Sequence, residues 1–361
     1  MTDVPGIPVK RDGTADLLKG FAVLFMIQVH IMEQFVTPDI YDSMIGKISL
    51  FLGGPVCAPV FMAVMGYFLA SSARPLGYFL KRGIFLFLGG LLLNVARSAN
   101  LLLHIMRGEF ILDPWFFIMG ADILTLAGLS LIITGLLRLI YKERAFLYFL
   151  TALAFVFVNP LLNKVLVTGL IPTYITAYIF GTAGWSYFPL FPWFAYVLTG
   201  YAFSLFLRQT PVIKKIDVKN HFVYFIPLWI AVILTLPYAS AITHNLEGSG
   251  GYYHHGILFF GWVLLFMICY LVLIRLIDIF SGGQPIIRLI KWMGQKVTIL
   301  YVIQWLIIGN IATIIYKTQN LFQFVGWFLF VLVATLLTGF LIETVWNRLK
   351  LHEKKKAAPN I

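Results

Sequence analysis

The chain has 361 residues, of which 60% are hydrophobic and only 12% charged, and its mean hydropathy is +0.89. An average soluble domain has about twice that share of charged residues, so this composition excludes a disordered chain and an ordinary soluble fold. In a soluble protein a net charge of +12 would suggest nucleic acid, whereas in a membrane protein basic loops explain it, and we expect no nucleic-acid partner.

Ten apolar stretches are long enough to cross a bilayer, which takes about 20 helical residues. In chain order they lie near residues 17–36, 46–70, 79–103, 115–140, 146–170, 187–207, 222–242, 256–279, 297–316 and 323–346. We therefore predict an all-α, polytopic integral membrane protein with about ten transmembrane helices. Residues 17–347 form its membrane domain, 1–16 a cytoplasmic N-terminal segment and 348–361 a basic cytoplasmic tail.

The distribution of charge predicts the orientation of these spans. If the amino terminus is cytoplasmic, most of the 27 Lys and Arg residues fall on the cytoplasmic side of the bilayer. Only Lys47, Arg97, Arg107, Lys164 and Lys317 then lie on the other side. Such a bias over short loops is the positive-inside pattern, and one span more or fewer would spoil it. Ten spans with both termini in the cytoplasm fit best.

The first predicted helix carries ionisable side chains within an apolar span. Lys19 and His30 are eleven residues apart, which places them about 20° apart around the helix and about 16 Å apart along it. Asp16 precedes Lys19 by three residues, and Glu33 follows His30 by three, so the polar stripe continues at both ends. We predict that this stripe faces the interior of the protein rather than lipid.

His30 is the main catalytic candidate on this stripe. A charge inside the bilayer costs at least about 2.5 kcal/mol, so such residues usually serve ion paths, proton relays or active sites. Imidazole is the common general base, Glu33 is placed to orient it, and Asp16 can pair with Lys19. The alternative is a structural histidine whose hydrogen bonds are satisfied by a neighbouring helix.

A resemblance supports the catalytic interpretation. The basic residue, ten intervening residues and histidine, after the start Asp16-Leu17-Leu18-Lys19-Gly20, resemble the first-helix motif of the transmembrane acyltransferase superfamily. Within it the chain is most similar to the heparan-alpha-glucosaminide N-acetyltransferase-like branch, and the acyltransferase-3 family is more distant. Further similar stretches are Ala58–Leu69, Tyr78–Arg82, Asp122–Leu124, Phe188–Phe194 and Ile299–Trp305.

The resemblance implies a donor and an acceptor. Members of the superfamily transfer an acyl group from a cytoplasmic donor, commonly acetyl-CoA, to an acceptor across the membrane, often a glycan or lipid-linked sugar. His30 would act as the base or as a transient acyl carrier. Basic residues suit the phosphates of the acyl-CoA, although for any one of them a purely topological role is the simpler explanation. The donor-binding candidates besides Lys19 are Arg82, Lys81, Lys296 and Arg74.

The acceptor-side candidates are polar and aromatic residues near the other membrane surface, where Trp and Tyr also collect regardless of function. These candidates are Asp122, Trp193, His254, His255 and Tyr253. The adjacent histidines point about 100° apart on a helix and lack a third ligand, so we predict no metal site.

Two other classes of function stay open from the sequence alone. A secondary transporter or flippase of a small polar or lipid-linked substrate would also keep ionisable groups in its spans, but no repeated halves are visible. A non-catalytic scaffold would tolerate replacement of His30. The resemblance favours the acyltransferase, in the bacterial inner membrane.

Overall fold

The computed structural model describes residues 12–181, 183–210, 218–246 and 250–357. Over these ranges the chain is helical and forms no β-strand. In chain order the helices are α1 (Gly13–Phe35), α2 (Pro38–Tyr41), α3 (Met44–Gly53), α4 (Ala58–Ala70), α5 (Leu76–Arg97), α6 (Ala99–Met106), α7 (Pro114–Ile118), α8 (Ile123–Tyr141), α9 (Ala145–Leu162), α10 (Leu170–Ala177), α11 (Leu190–Gln209), α12 (Val218–His221), α13 (Ile226–Leu234), α14 (Leu236–His244), α15 (Ile257–Ser281), α16 (Pro285–Gln295), α17 (Val297–Ile315) and α18 (Leu321–Ala357).

The helices confirm the predicted all-α membrane fold. Within the described ranges nine candidate spans have the length and hydropathy to cross a membrane, and the bent segment that ends with α14 makes a tenth. The protein is therefore an integral membrane protein. Residues 1–11 of the predicted N-terminal segment and 358–361 of the predicted tail lie outside the described residues.

Several predicted spans have different ends in the structure. The second span is broken between α3 and α4, where residues 54–57 are not helical. The fourth begins at Ile123 rather than near 115, because the Asp122 carboxylate accepts a hydrogen bond from the Ile123 amide and caps α8. The fifth ends at Leu162, and the apolar residues that follow form the separate helix α10.

Helix α1 lies at the centre of the bundle. It begins after Asp12, whose carboxylate accepts from the Thr14 and Ala15 amides. Along its length it packs against α3, α4, α15, α16, α17 and α18. A polar stripe on this helix therefore faces other helices, as the sequence predicts.

Glycine lies at two of the closest helix crossings. Where α1 crosses α16, a Cβ atom added to Gly294 would lie 1.8 Å from the Asp16 carbonyl oxygen, and one added to Gly20 would lie 1.9 Å from that of Ile290. Where α4 crosses α11, a Cβ atom on Gly66 would lie 1.9 Å from the carbonyl oxygen of Val197. These contacts fix the start of α1 against α16 and the end of α4 beside that of α11.

Candidate active site

The two sides of the bundle are named here by the residues of α1. The Lys19 side is the one on which α1 begins, and the His30 side is the one on which it ends. Both side chains are partly accessible, although α1 is otherwise largely buried. Because α1 is a continuous helix, they are separated by about 16 Å along its axis.

On the Lys19 side, Lys19 is paired as the sequence predicts. Its Nζ atom lies 2.9 Å from the Asp16 carboxylate, which also accepts a hydrogen bond from Gln295 Nε2 at 3.0 Å. The same Nζ atom is 5.4 Å from the centre of the Phe68 ring on α4. Asp16 thus compensates the charge of Lys19, and α16 holds Asp16 in place.

On the His30 side, the imidazole of His30 contacts α17. Its Nδ1 atom lies 3.1 Å from Gln304 Oε1, and its ring centre is 4.1 Å from that of Trp305. With the Gln304 amide oxygen facing the ring, the contact requires the proton on Nδ1 and leaves the lone pair on Nε2, while Gln304 Nε2 is buried without a hydrogen-bond partner among the described residues. The ring Nε2 of His30 has no hydrogen-bond partner among the described residues.

An ion pair lies beside the imidazole. Arg97, the last residue of α5, donates to the Asp122 carboxylate at 2.8 Å, and the hydroxyl of Tyr301 donates to the same carboxylate at 2.7 Å. The Arg97 guanidinium also lies 4.5 Å from the centre of the Trp305 ring. Both charged groups are near enough to His30 to act on it electrostatically. We call this group the His30 cluster: His30, Arg97, Asp122, Tyr301, Gln304 and Trp305.

The cluster assembles residues from four distant parts of the sequence. Among the predicted site residues, it brings Asp122 to His30. Sequence reasoning assigned no catalytic role to Arg97, Tyr301, Gln304 or Trp305. The sequence nevertheless contained two indications of their role. Arg97 was one of the few basic residues predicted on the non-cytoplasmic side. Tyr301, Gln304 and Trp305 lie in the stretch Ile299–Trp305, which resembles the family.

Glu33 lies one turn beyond His30 and does not contact it. Its carboxylate has no hydrogen-bond partner among the described side chains, but it acts electrostatically on Tyr187, Tyr252 and Tyr253. Burial raises the pKa of Tyr253 well above its ordinary value, and the negative charge of Glu33 is the next largest cause of the rise. Glu33 and Tyr253 therefore belong to one region on the His30 side.

The remaining acceptor-side candidates brace the loop before α15. The indole of Trp193 donates to the Tyr253 carbonyl at 2.8 Å, and the Asn159 amide donates to the carbonyls of His254 and His255. The His255 ring donates from Nδ1 to the Tyr252 carbonyl and accepts at Nε2 from the Tyr196 hydroxyl. These bonds hold the loop that carries Tyr253, and none of them reaches the His30 cluster.

The predicted donor-binding residues do not form one group. Lys81 and Arg82 are exposed on α5, and the Arg82 guanidinium lies over the exposed ring of Phe85. Lys296 is paired with Glu343 at 2.6 Å. Arg74 is exposed in the loop between α4 and α5.

No group of three or more His, Cys, Asp or Glu side chains in the described part of the chain could hold a metal ion.

A family comparison identifies the class of protein. The family model described as heparan-alpha-glucosaminide N-acetyltransferase, catalytic, matches residues 11–233. This match covers more than half of the chain, so the chain belongs to the heparan-alpha-glucosaminide N-acetyltransferase family of membrane acetyltransferases. No individual curated protein matches it. The matched range includes Lys19, His30, Arg97 and Asp122, whereas α17 lies beyond it.

Proposed function

We propose that this acetyltransferase takes an acetyl group from acetyl-CoA on the Lys19 side, which faces the cytoplasm, and transfers it to an amino or hydroxyl group of a glycan or lipid-linked sugar on the His30 side. The observation that carries the proposal is the hydrogen bond from His30 Nδ1 to Gln304 Oε1. It leaves the Nε2 lone pair free inside a membrane span, where a neutral imidazole can act as base or nucleophile.

In direct transfer, His30 acts as a general base. Nε2 takes the proton of the acceptor amine or hydroxyl as that group attacks the thioester carbonyl carbon. A new C–N or C–O bond forms, the C–S bond breaks, and the coenzyme A thiolate leaves and receives the proton. Each step requires only the neutral imidazole that the contact with Gln304 favours.

In covalent transfer, His30 carries the acetyl group. Nε2 attacks the thioester carbon, the C–S bond breaks, and coenzyme A leaves before the acceptor arrives. The acceptor then attacks the acetyl carbon and the bond between that carbon and Nε2 breaks, which restores His30. Nε2 takes the acceptor's proton and passes it to solvent, from which the coenzyme A thiolate gains one. The two routes differ in whether both substrates must be bound together.

The ion pair in the His30 cluster supports either route. Both place negative charge on the former carbonyl oxygen, and a fixed cation in a site with little water stabilises such charge strongly. Arg97 is a cation that acts electrostatically on His30, and its guanidinium and the imidazole both lie against the Trp305 ring. Asp122 and Tyr301 hold its guanidinium in place, so these two are positioning residues in the proposal.

Glu33 is proposed to bind the acceptor. Its carboxylate lies one helical turn beyond His30, and Tyr187 and Tyr253, on which it acts, are partly exposed and can present hydroxyl groups to a sugar. A carboxylate accepts hydrogen bonds from sugar hydroxyls and pairs with a protonated amine. Lys19 and Asp16 are assigned to the Lys19 side, where the donor is proposed to bind.

The test compares donor binding and donor turnover in the purified full-length protein. The parent should bind acetyl-CoA and hydrolyse it slowly, whereas His30→Ala should bind it with little turnover. His104→Ala is the matched control, because His104 is a partly exposed histidine paired with Glu109 away from the His30 cluster. A folded parent that binds no acetyl-CoA would contradict the proposal.

The two chemical routes are separated in the same preparation. Ping-pong kinetics with an amino sugar as acceptor, together with an acetyl-histidine peptide in the quenched enzyme, would establish the covalent route. A strict ternary-complex pattern would exclude it and establish His30 as a base.

A transporter or flippase is the second candidate, and one observation favours it. The span of α3 and α4 is broken at residues 54–57, and the span that ends with α14 bends by 49°. Broken spans are common at the substrate sites of transporters. Movement of a labelled sugar by reconstituted protein with no acyl donor present would favour transport over acetyl transfer.

A further inference from the structure

Two arginines that the sequence did not single out meet at the end of α4 on the Lys19 side. Arg138, near the end of α8, donates from Nη2 to the Ser72 carbonyl at 2.8 Å. Arg208, near the end of α11, donates from Nη2 to the Ala70 carbonyl at 2.8 Å. The fold thus brings two guanidinium groups from distant helices to one turn of the chain.

These guanidinium groups lie near each other and near Lys19. Both act electrostatically on the hydroxyl of Tyr201. Arg208 also acts on Tyr67, whose ring packs edge-on against Phe68 with the ring centres 5.4 Å apart. Phe68 is the residue that the Lys19 ammonium contacts. We call this group the α4-end cluster: Lys19, Tyr67, Phe68, Arg138 and Arg208.

The two arginines have hydrogen-bond donors that their contacts within the protein do not use. Neither arginine forms an ion pair with a carboxylate of the described residues. The end of a helix presents only about half a negative charge, and an arginine has five N–H donors. Arg138 also lies over the ring of Phe79 at 4.7 Å, and Glu143 acts with both arginines on Tyr201. What the two side chains offer a ligand is therefore the N–H donors beyond those that cap α4.

Resting on the proposed function, we propose that Arg138 and Arg208 bind the phosphate groups of the acyl-CoA donor beside Lys19. Guanidinium groups recognise phosphate by paired hydrogen bonds, which a single ammonium cannot provide. Lys19 and His30 lie on one face of α1 about 16 Å apart, and the residues between them on that face, Ala22, Val23 and Met26, are buried, so the thioester reaches the imidazole only if the helices packed there move apart.

This assignment differs from the one made from the sequence. Lys81 and Arg82 are exposed on α5, and Lys296 is already paired with Glu343. Arg74 is in the same loop as Ser72, whose carbonyl accepts from Arg138, so it is the one earlier candidate that the structure places beside the cluster.

The test measures how the phosphates of the donor contribute to its recognition. Arg138→Gln and Arg208→Gln remove the charge but keep an N–H donor for the carbonyl groups of α4. Each variant and the parent are assayed with acetyl-CoA and with S-acetylpantetheine, which has the same thioester without phosphates. Arg288→Gln is the control, because Arg288 is an exposed arginine on α16.

Each variant should raise the KM for acetyl-CoA roughly tenfold or more, since a hydrogen bond to a charged group contributes about 1.5–3 kcal/mol. The KM for S-acetylpantetheine, the kcat for either donor and the melting temperature should stay near those of the parent. Arg288→Gln should behave as the parent with both donors. A merely structural role would change both donors alike.

Anionic lipid headgroups offer the same phosphate chemistry, so the assay is run in bilayers of phosphatidylcholine with and without phosphatidylglycerol. An effect of the variants only in the anionic bilayer would assign the cluster to lipid and overturn the proposal. The proposal would also be overturned if Arg138→Gln and Arg208→Gln both left the KM for acetyl-CoA unchanged while Arg82→Gln raised it. A parent that turns over neither donor would instead overturn the proposed function, and the donor assignment with it.

Discussion

The imidazole of His30 and the amide of Gln304 lie 3.1 Å apart although 274 positions separate them in the chain. The contact joins the first span to the ninth of the ten and determines which imidazole nitrogen carries the proton. A residue outside the range matched by the family model thus prepares the central histidine for its proposed chemistry.

Replacing Gln304 with Leu should reduce turnover of acetyl-CoA. Without the amide oxygen the imidazole loses its orientation and its preferred tautomer, and the loss of one hydrogen bond worth about 1 kcal/mol should reduce kcat about fivefold or more. Gln304→Glu retains an acceptor and should keep most of the activity. Steady-state hydrolysis of acetyl-CoA measures both, and equal kcat values in the two variants would show that the bond has no positioning role.

Replacing Asp122 with Asn should destabilise the protein. Asp122 and Arg97 are both largely buried, with side-chain exposures of 7% and 12%, and the substitution leaves the guanidinium without its counter-charge. Breaking a buried ion pair costs roughly 3–5 kcal/mol. The melting temperature in detergent should therefore fall clearly, and by more than for Tyr301→Phe, which removes one hydrogen bond worth about 1 kcal/mol.

A double variant checks the cause of that loss. Arg97→Gln combined with Asp122→Asn removes both charges and should be less destabilised than the sum of the single variants, because coupled residues are not additive. Strictly additive losses would mean that the ion pair does not stabilise the fold.

The loop before α15 should make stability depend on pH. Burial lowers the pKa of both His254 and His255 from 6.5 to about 4, so the folded state holds these rings neutral. Because the unfolded chain binds their protons more readily, stability is present above pH 6.5 and is lost as the pH falls towards 4. Each histidine contributes a slope of at most about 1.4 kcal/mol per pH unit.

Thermal unfolding between pH 7 and pH 5 measures this slope. The parent should melt at a lower temperature in acid, and His255→Gln, which cannot be protonated, should show a weaker dependence. An identical pH profile in the variant would mean that His255 does not contribute to the acid sensitivity.

Replacing Gly294 with Val should disturb the Lys19 side. The new side chain would overlap the Asp16 carbonyl and force α1 and α16 apart, at a cost of about 1–3 kcal/mol or more. Because Gln295 and Asp16 meet at this crossing, acetyl-CoA turnover should fall together with the melting temperature. Gly283→Val is the control, since a Cβ atom there meets nothing within 4 Å. Equal melting temperatures would contradict the expected overlap.

The sequence alone determined the membrane class, the helical fold and the importance of α1. Apolar length identifies a span because the bilayer requires every backbone group to be bonded within its helix. The spacing of Lys19 and His30 is likewise a property of one helix, so it could be calculated before any tertiary contact was known. The family membership followed from the same short motif and is confirmed by the match over residues 11–233.

Only the tertiary structure decided which other residues accompany these two. Arg97, Tyr301 and Gln304 come from helices that are distant in sequence, and apolar helices carry little information about their neighbours. For the same reason the sequence could not show which basic residues are paired, which are exposed and which meet another helix. Lys296 is paired and Arg82 is exposed, whereas Arg208 meets the end of α4, and that difference depends on how the helices pack rather than on local sequence.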